Sequence, residues 1–332
     1  MKAIVSRKAG GPETLLLEDV PPPMPRASQV VVDVKASGVN YPDALIIRDQ
    51  YQFKPARPFS PGGEISGIVS AIGADVTGVS VGDRILASCG WGGMAQQVAL
   101  DASAVVKIPD AMPYDEASAF LLTYGTSHHA LKDRGKIKKG ETLLVLGAAG
   151  GVGIAAVELG AAWGARVVAA VSTPEKAEFC MKRGAERTVV YPAGPFDKDQ
   201  TKALSNLFKE ACGPEGADVV YDGVGGDYSE ASLRAIAWKG RFLVVGFPAG
   251  IAKMPLNLAL LKGCDILGVF WGDFVRREPE SHQANLRDLM SLYADGKIRP
   301  YISERFPLAS AGDAIDWLSR RKAMGKVVVT MD

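Results

Sequence analysis

The residues of this chain that are best suited to chemistry form a glycine-rich turn. Residues 142–153 read TLLVLGAAGGVG, an apolar run that leads directly into small residues and glycines. A turn without side chains lets a phosphate approach the backbone, and the N-terminus of a following helix offers it unpaired N–H groups. We therefore expect backbone N–H groups of this turn to bind the pyrophosphate of a dinucleotide. The candidates are Ala149, Gly150, Gly151 and Val152.

The segments on both sides of the turn favour this interpretation over an ordinary loop. Residues 142–146 are apolar throughout, as in a strand that is buried on both faces. A helix is predicted from Ile154 to Trp163, and a second strand at Arg166–Val171 completes a β-α-β unit of about 30 residues. Relative to the pattern G-x-G-x-x-G, the first glycine is replaced by Ala148, which a negative φ tolerates.

The end of the second strand discriminates between the two nicotinamide dinucleotides. A site for NAD usually has Asp or Glu about 20 residues after the turn, where it holds the ribose 2′-hydroxyl. Here Ser172, Thr173 and Lys176 follow the strand, and hydroxyls with a cation suit a 2′-phosphate. Glu175 is expected to face solvent. The same segment also suits a helix cap with Pro174 at the first helical position, and the two roles are compatible. We predict NADPH as the cofactor.

Composition places the chain among ordinary globular proteins. Of its 332 residues 47% are hydrophobic and 23% are charged, and the net charge of +1 gives no indication of a nucleic-acid or acidic-membrane partner. The length favours two domains. Four cysteines lie far apart without paired spacing, which is typical of free thiols in a reducing cytoplasm. The sequence contains no long uncharged apolar stretch that would suggest a membrane span.

The pattern along the chain predicts an α/β protein with two textures. Residues 1–120 contain short β-branched runs separated by turn residues, which indicates a β-rich, partly barrel-like domain. Residues 120–270 alternate helix and strand, which predicts a doubly wound parallel sheet. The first texture has predicted strands at Lys2–Ser6, Gln29–Val39, Gly67–Ile72, Arg84–Ala87 and Gly93–Leu100. The second has them at Leu143–Leu146, Arg166–Val171, Thr188–Tyr191, Asp218–Asp222, Arg241–Phe247 and Ile266–Phe270.

The remaining segment is expected to return to the first domain, because the parallel sheet is then complete. Helices are predicted at Gln283–Tyr293 and Ala311–Arg321, and a strand at Lys326–Thr330. The predicted domains are therefore 1–122 with 271–332, and 123–270.

Several short motifs occur in an order that resembles one family. The resemblance is to the medium-chain dehydrogenases/reductases, and within them to the quinone oxidoreductases related to zeta-crystallin, over nearly the whole chain. It implies a GroES-like β-rich catalytic domain and a Rossmann domain. The stretches that carry it are residues 10–13 (GGPE), 37–43 (SGVNYPD), 61–67 (PGGEISG), 81–84 (VGDR), 92–96 (GGMAQ), 147–153 and 325–328 (GKVV).

The resemblance also implies a reaction without zinc. Zinc-dependent relatives have Cys where Asn40 stands and His where Gly63 stands, and neither residue is a zinc ligand. We predict no metal site. Without a Lewis acid, hydride must go to an acceptor that is already electron-poor, such as a quinone or an alkene conjugated to a carbonyl.

For the reacting groups, the resemblance implies positions beside the nicotinamide. It places Asn40 there as an amide donor and Thr126 as a partner of the carboxamide, although Asn40 also suits a turn and Thr126 a helix start. Many relatives have Tyr where Leu45 stands, so Tyr41 and Tyr51 are the remaining phenols for proton donation. Wall positions for both, with a proton from solvent, are the alternative.

Further cofactor contacts are expected where the strands end. Tyr191 suits either the adenosine phosphate or packing, and Phe247 and Trp271 suit either the cofactor or the core. Lys326 suits a phosphate or ribose contact, or a place on the sheet surface. The full set of these candidates is Tyr191, Val224, Gly246, Phe247, Phe270, Trp271 and Lys326.

Three functions are open at this stage. The first is an NADPH-dependent quinone or enone reductase, and the second is an enoyl-thioester reductase of the acryloyl-CoA type. The third is a non-catalytic NADPH-binding protein. The family resemblance further implies a homodimer formed by pairing of the strand Ile266–Phe270 with its copy, since that strand otherwise leaves an exposed edge.

Overall fold

The computed structural model describes residues 1–331, which divide into two compact units. The first unit comprises residues 1–122 and the segment from Pro300 onward, and the second comprises Thr123–Arg299. Among the described residues, no helix is both long and apolar enough to cross a membrane.

The elements are numbered in chain order. The strands are β1 (Lys2–Ser6), β2 (Leu15–Asp19), β3 (Gln29–Val39), β4 (Glu64–Ile72), β5 (Arg84–Ser88), β6 (Gln97–Asp101), β7 (Val105–Lys107), β8 (Thr142–Leu146), β9 (Arg166–Val171), β10 (Arg187–Val190), β11 (Ala217–Asp222), β12 (Ile236–Val244), β13 (Asp265–Gly268), β14 (Ile302–Pro307) and β15 (Lys326–Thr330). The helices are α1 (Tyr41–Ile46), α2 (Tyr114–Ala117), α3 (Leu121–His128), α4 (Gly151–Ala162), α5 (Pro174–Met181), α6 (Lys198–Cys212), α7 (Asp227–Arg234), α8 (Leu256–Lys262), α9 (Trp271–Arg277), α10 (Pro279–Ala294) and α11 (Ala311–Ser319). A π-helical turn, His129–Arg134, extends α3.

The first unit is built around the long strand β3. It pairs antiparallel with β4, β6 and β15, in a sheet of order β14-β15-β3-β4-β5-β7 with β6 attached to β3. Most of β3 is buried, and its alternate faces supply two apolar clusters. Because β15 pairs with β3, the chain's last strand lies beside residues 36–39, directly before α1.

The second unit is a parallel sheet of order β10-β9-β8-β11-β12-β13. This order reverses between β8 and β11, and ligands of such sheets bind at the carboxyl ends of the strands at that point. Every residue of β8 is buried, which explains why its sequence is continuously apolar instead of alternating. The predicted α/β class, with a β-rich domain and a doubly wound parallel sheet, is confirmed.

The segment 271–299 belongs to the second unit, so the expected boundary at residue 271 is corrected to 300. Here α10 packs against α9. The N–H of Arg299 donates to Glu158 in α4 at 3.0 Å, which ties the end of the segment to the sheet's helical layer. Only β14, α11 and β15 return to the first unit.

Several element boundaries also differ from expectation. The strand predicted at Arg241–Phe247 is β12, which begins at Ile236 and ends before the turn at Gly246. The strand predicted at Ile266–Phe270 ends at Gly268, and Phe270 is the N-cap of α9. The predicted strand Gly93–Leu100 starts at Gln97, after a stretch that makes only an isolated bridge at Ala95.

Candidate functional site

The glycine turn, residues 147–153, has the geometry that its sequence predicts. Gly147 lies in the left-handed region with φ +64°, which favours glycine, whereas Ala148 does not have a positive φ. At Gly153 a Cβ would lie 2.2 Å from the carbonyl oxygen of Gly147, so α4 packs against the turn without room for a side chain. The glycines therefore permit both the tight turn and the close approach of the helix.

Backbone donors remain open in this turn. The N–H of Ile154 is the first in α4 with an acceptor, the carbonyl of Gly150 at 2.8 Å. Within residues 1–331, the N–H groups of four residues at the helix start have no acceptor, and the dipole of α4 adds positive potential there. These residues are Ala149, Gly151, Val152 and Gly153. Gly150, expected among the donors, instead donates to Gly147 at 3.0 Å inside the turn.

Two buried hydroxyls that the sequence did not reveal hold the helix start in place. Ser127 on α3 donates to the carbonyl of Val152 at 2.8 Å, and its oxygen lies 2.9 Å from the hydroxyl of Tyr221 on β11. Burial raises the pKa of Tyr221, so this phenol stays protonated. The signal for Tyr221 that the sequence offered was its position in β11, directly before a glycine-rich loop.

The end of β9 places the residues predicted for the 2′-phosphate together. Thr173 caps α5, since its side chain accepts from the N–H of Lys176 at 3.3 Å. The Lys176 ammonium donates to Ser172 Oγ at 3.4 Å, and Ser172 is exposed. Glu175 is exposed, as expected, and hydrogen bonds with its own backbone N–H and, secondarily, with the Thr173 side chain lower its pKa. The helix cap by Thr173 and the contact between Lys176 and Ser172 are therefore both present.

Tyr191 lies beside this end of the sheet but is buried. Its N–H donates to the carbonyl of Val171 at 2.9 Å, and its ring packs 4.9 Å from that of Tyr228, centroid to centroid. Tyr191 thus packs within the second unit, which was one of the two roles expected for it.

The loop after β11 is organised by a buried carboxylate, Asp222. One oxygen accepts the N–H groups of Val224 and Gly225 at 2.9 and 2.8 Å, and the other accepts the Ser229 hydroxyl at 2.5 Å. Burial raises the pKa of Asp222, against the opposing effect of these donors. The carbonyl of Val224 accepts from Ala249, so both backbone groups of Val224 already have partners within the second unit.

The aromatic candidates after β12 and β13 separate into exposed and buried side chains. Phe247 is 55% exposed, which corrects its interpretation as a core residue, and Phe270 is also exposed. Trp271 is buried, with its indole over Gly125, where a Cβ would lie 2.9 Å from the ring. Gly246 donates to the carbonyl of Asp222 at 3.2 Å.

Thr126 lies on α3 next to Gly125 and is half-buried. It is the sixth residue of α3, so its interpretation as a helix-start hydroxyl is wrong.

In the first unit, a group of buried polar side chains meets at the start of α1; we call Asn40, Asp43, Glu64 and Lys326 the Asn40 cluster. The Lys326 ammonium donates to Asn40 Oδ1 at 2.5 Å and to Glu64 Oε2 at 3.2 Å. Asn40 Nδ2 donates to Glu64 Oε2 at 3.0 Å and to the carbonyl of Gly38 at 3.1 Å. Lys326 is 4% exposed, so its interpretation as a sheet-surface residue is wrong.

Backbone donors complete the cluster. Glu64 Oε1 accepts the N–H of Leu122 at 2.9 Å, and the Asp43 carboxyl accepts those of Asn40 and Gly62 at 2.8 and 3.0 Å. Burial raises the pKa of Asp43 to about 6. Sequence reasoning gave no role to Glu64 or Asp43. The available signal was an acid that directly opens an apolar strand, at Glu64.

These positions do not fit a zinc ion. The Asn40 amide oxygen already faces an ammonium group, which would repel a cation bound to the same oxygen. At Gly63 a Cβ would lie 2.9 Å from the carbonyl oxygen of Gly90, so no ligating side chain fits without a backbone shift. Within residues 1–331, no group of three or more His, Cys, Asp or Glu side chains is arranged to hold a metal.

The candidate phenols differ in exposure. Tyr41, the first residue of α1, is 40% exposed. Tyr51 is half-buried, and its ring lies edge-on to Phe53 with centroids 5.9 Å apart. Burial, and secondarily the charge of Asp43, raises the pKa of Tyr51, which keeps it protonated.

The structure thus brings the sequence candidates together in two groups, each within one unit. The second unit gathers the glycine turn, the end of β9 and the Asp222 loop at the switch point of its sheet. The first unit joins Asn40 to Lys326 through direct hydrogen bonds.

Comparison with known proteins matches both units to protein families. The alcohol dehydrogenase GroES-like domain matches residues 26–110, and the zinc-binding dehydrogenase family matches residues 151–291. A quinone oxidoreductase-like protein 2 homolog from Nematostella vectensis is 38% identical over 306 residues, which cover 91% of this chain and 81% of that protein.

Solved structures give the same picture. The Escherichia coli quinone oxidoreductase complexed with NADPH superposes with a TM-score of 0.91 at 28% identity, over all of both chains. The quinone oxidoreductase from Thermus thermophilus, studied alone and with NADPH, has a TM-score of 0.85 at 34% identity, also over all of both chains. The chain with the glycine turn and the Asn40 cluster belongs to the quinone oxidoreductase family of the medium-chain dehydrogenases/reductases.

Proposed function

We propose that this protein is an NADPH-dependent reductase that delivers hydride to a quinone or another electron-poor conjugated carbonyl, without zinc. The observation that carries this proposal is the row of backbone donors without acceptors in the glycine turn, at the switch point of the parallel sheet. Four N–H groups at a helix N-terminus suit a pyrophosphate. The NADPH complexes of the E. coli and T. thermophilus relatives support the choice of cofactor.

The preference for NADPH over NADH rests on the end of β9. Ser172 and Lys176 offer a hydroxyl and an ammonium group next to each other at the surface, and Glu175, the acid adjacent to Lys176 in sequence, forms part of the helix start. A 2′-phosphate gains from such a cation, whereas a 2′-hydroxyl gains little. Thr173 is largely committed to its role as a cap.

The proposed class of hydride acceptor follows from the Asn40 cluster, because that cluster is unsuitable for binding zinc. When bound, NADPH supplies the hydride. An unactivated ketone needs a Lewis acid on its oxygen, whereas a quinone or enone is already electron-poor. We therefore propose that the protein binds and orients an activated acceptor.

Reactant contacts are proposed for a small set of side chains. Asn40 and Thr126 are proposed from the family membership, with Thr126 offering its hydroxyl from α3. Lys326, expected as a phosphate or ribose contact, is buried against Asn40 and is proposed to act through it. Tyr41 and Tyr51 are proposed as proton donors; the raised pKa of Tyr51 keeps its proton available for donation to a developing oxyanion. Among the cofactor contacts we retain the residues that follow the strands: Tyr191, Val224, Gly246, Phe247, Phe270 and Trp271.

Steady-state assays with purified protein test the reaction. We expect NADPH consumption with a small benzoquinone or naphthoquinone, unaffected by a chelator that removes zinc. Faster turnover of an enoyl-CoA than of free quinones would favour the thioester reductase instead. Tight NADPH binding without oxidation by quinones, enones or enoyl-CoA would contradict a reductase and favour a non-catalytic binding protein.

The cofactor preference is tested by reversing the charge at the end of β9. In Lys176→Glu, kcat/KM for NADPH should fall about tenfold or more, because the 2′-phosphate meets a carboxylate, while that for NADH changes little. Lys182→Glu makes the same charge change at the exposed other end of α5 and serves as the control. Equal losses with both cofactors would contradict the proposed phosphate site.

We also propose a homodimer formed through β13. This strand is the edge of the parallel sheet, and the preceding α8 region exposes large apolar side chains, including Ile251 at 83% and Leu260 at 80%. Light scattering at micromolar concentration should show a dimer, and Leu260→Asp should shift it towards monomer. The four unpaired cysteines support a cytoplasmic location.

A further inference from the structure

The hydrogen bonds of the Asn40 cluster determine which way the Asn40 amide points. Lys326 has only N–H donors, and the Glu64 oxygens serve as acceptors for Asn40, Lys326 and the N–H of Leu122. Exchanging the oxygen and nitrogen of the amide would place its NH₂ group against the ammonium and its oxygen against the carboxylate. The orientation with Oδ1 towards Lys326 is therefore fixed by chemistry.

A count of donors and acceptors shows what Asn40 has left for a ligand. The amide has two hydrogens, and both are used, by Glu64 and by the carbonyl of Gly38. The oxygen has two lone pairs, and Lys326 takes one of them. The N–H of Asp43 also faces this side chain in a capping box, but its hydrogen bond goes to the backbone carbonyl of Asn40 at 3.0 Å. Asn40 therefore retains one acceptor site and no free donor, although the sequence led us to expect an amide donor.

The surroundings make this arrangement rigid. Glu64 has no exposed surface, and Asn40 is only 6% exposed. The backbone of Asn40 is held separately, because its N–H donates to Asp43 at 2.8 Å. At Gly38 a Cβ would collide with the carbonyl oxygen of Ser118 and approach Glu64 to 3.1 Å, so the cluster is closely packed.

We propose that Lys326 and Glu64 are positioning residues that present Asn40 to the bound reactants as a hydrogen-bond acceptor. The group that Asn40 recognises then carries an O–H or N–H, such as a sugar hydroxyl, a carboxamide or the hydroxyl of a quinol. An oxyanion is excluded as its partner. This inference rests on the proposed reductase function, because it names a contact of the same site.

Exchanging the functional groups at positions 40 and 64 tests whether Asn40 acts on the reactants as a hydrogen-bond acceptor or as a donor. In Asn40→Leu the acceptor is lost, and kcat/KM should fall about tenfold or more, as expected for one lost hydrogen bond to a reactant. The double variant Asn40→Asp with Glu64→Gln keeps an acceptor at position 40 beside Lys326 and moves the amide donor to position 64. It should recover part of the loss, because the acceptor is restored although a carboxylate oxygen at position 40 now faces the Gly38 carbonyl. If it is as impaired as Asn40→Leu, donation by Asn40 matters and the inference is wrong.

A second double variant tests the positioning role. Lys326→Met with Glu64→Gln removes both charges together, so that no unpaired charge stays buried. Urea denaturation first checks that this protein folds. It should then show a kcat/KM about tenfold below that of the wild type, because the Asn40 amide is free to turn. A folded variant with wild-type kinetics would mean that the pair is only structural.

Lys107→Met, which removes an exposed ion pair with Asp83 in the same unit, is the matched control for loss of a lysine. If the wild-type protein reduces no acceptor, the proposed function fails. The dissociation constant for NADPH then becomes the readout. A tenfold rise in both Asn40→Leu and the Lys326 double variant supports the positioning role, and unchanged constants overturn it.

Discussion

The Asn40 cluster and the glycine turn solve the problem of a polar site in opposite ways. In the cluster, side chains from distant parts of the chain satisfy one another, and a single acceptor site remains on Asn40. In the turn, side chains are absent and four backbone N–H groups have no acceptor among the described residues. The cluster is therefore ordered before any ligand arrives, whereas the turn keeps donors for a ligand, which we propose is the pyrophosphate of NADPH.

The largest effect is expected from a substitution that disrupts the Asn40 cluster and leaves the glycine turn unchanged. Lys326→Met leaves the Glu64 carboxylate buried without its cation, which should reduce the free energy of unfolding by about 3–5 kcal/mol. Urea denaturation measures the loss. In the control Lys107→Met, an exposed pair is removed and the loss should stay below about 1 kcal/mol. Equal losses in the two variants would mean that the buried pair is no more important than a surface pair.

A smaller effect on stability is expected when a side chain is added in the glycine turn. Gly153→Ala puts a methyl group against the carbonyl oxygen of Gly147, and the shift of α4 should cost about 1–3 kcal/mol. It should also weaken NADPH binding, since the same shift displaces the N–H groups. Gly272→Ala in α9, where a Cβ meets only Phe270 at 3.9 Å, is the control. Fluorescence titration with NADPH measures affinity, and wild-type affinity in Gly153→Ala would contradict the proposed role of the turn.

The smallest effect comes from acidification, which should change the stability contributions of His128 in the second unit and Asp43 in the first unit in opposite directions. Burial lowers the pKa of His128 below its usual value; Nε2 lies 2.8 Å from Asp288, and Nδ1 has no partner among the described residues. Folding therefore disfavours its protonation, and the contribution of His128 to the stability of the second unit falls as the pH drops below about 6.5, by about 1.4 kcal/mol per pH unit at most.

In the first unit, the pKa of Asp43 is raised to about 6, so the folded state binds this proton more readily than the unfolded state. Its contribution to stability grows as the pH falls from about 6 towards 4. Hydrogen exchange at pH 7 and 5.5, corrected for intrinsic rates, separates the two units. His128→Gln should reduce the loss in the second unit, while His282, whose pKa burial also lowers, keeps its own contribution. An unchanged loss would contradict the assignment to His128.

The same contrast explains what the sequence could predict. The glycine turn is local: β8, the turn and α4 are consecutive, and their pattern fixes both burial and geometry. The cluster joins Asn40 to a lysine that lies 286 positions later, and no local pattern encodes that pairing. The sequence therefore suggested for Lys326 only a phosphate or ribose contact, or a place on the sheet surface. The boundary at residue 300 was missed for a similar reason, because α9 and α10 dock through contacts with α3 and α4.

The discontinuity of the first unit has a consequence for synthesis of the protein. A ribosome releases the chain from its N-terminus, so Asp43 and Glu64 emerge long before Lys326, while residues 123–299 form a complete unit before the last strand appears. We expect the second unit to fold first on the ribosome. Until β15 adds to β3, the nascent first unit has two acids at its centre and lacks their cation, which favours an open state that chaperones can bind.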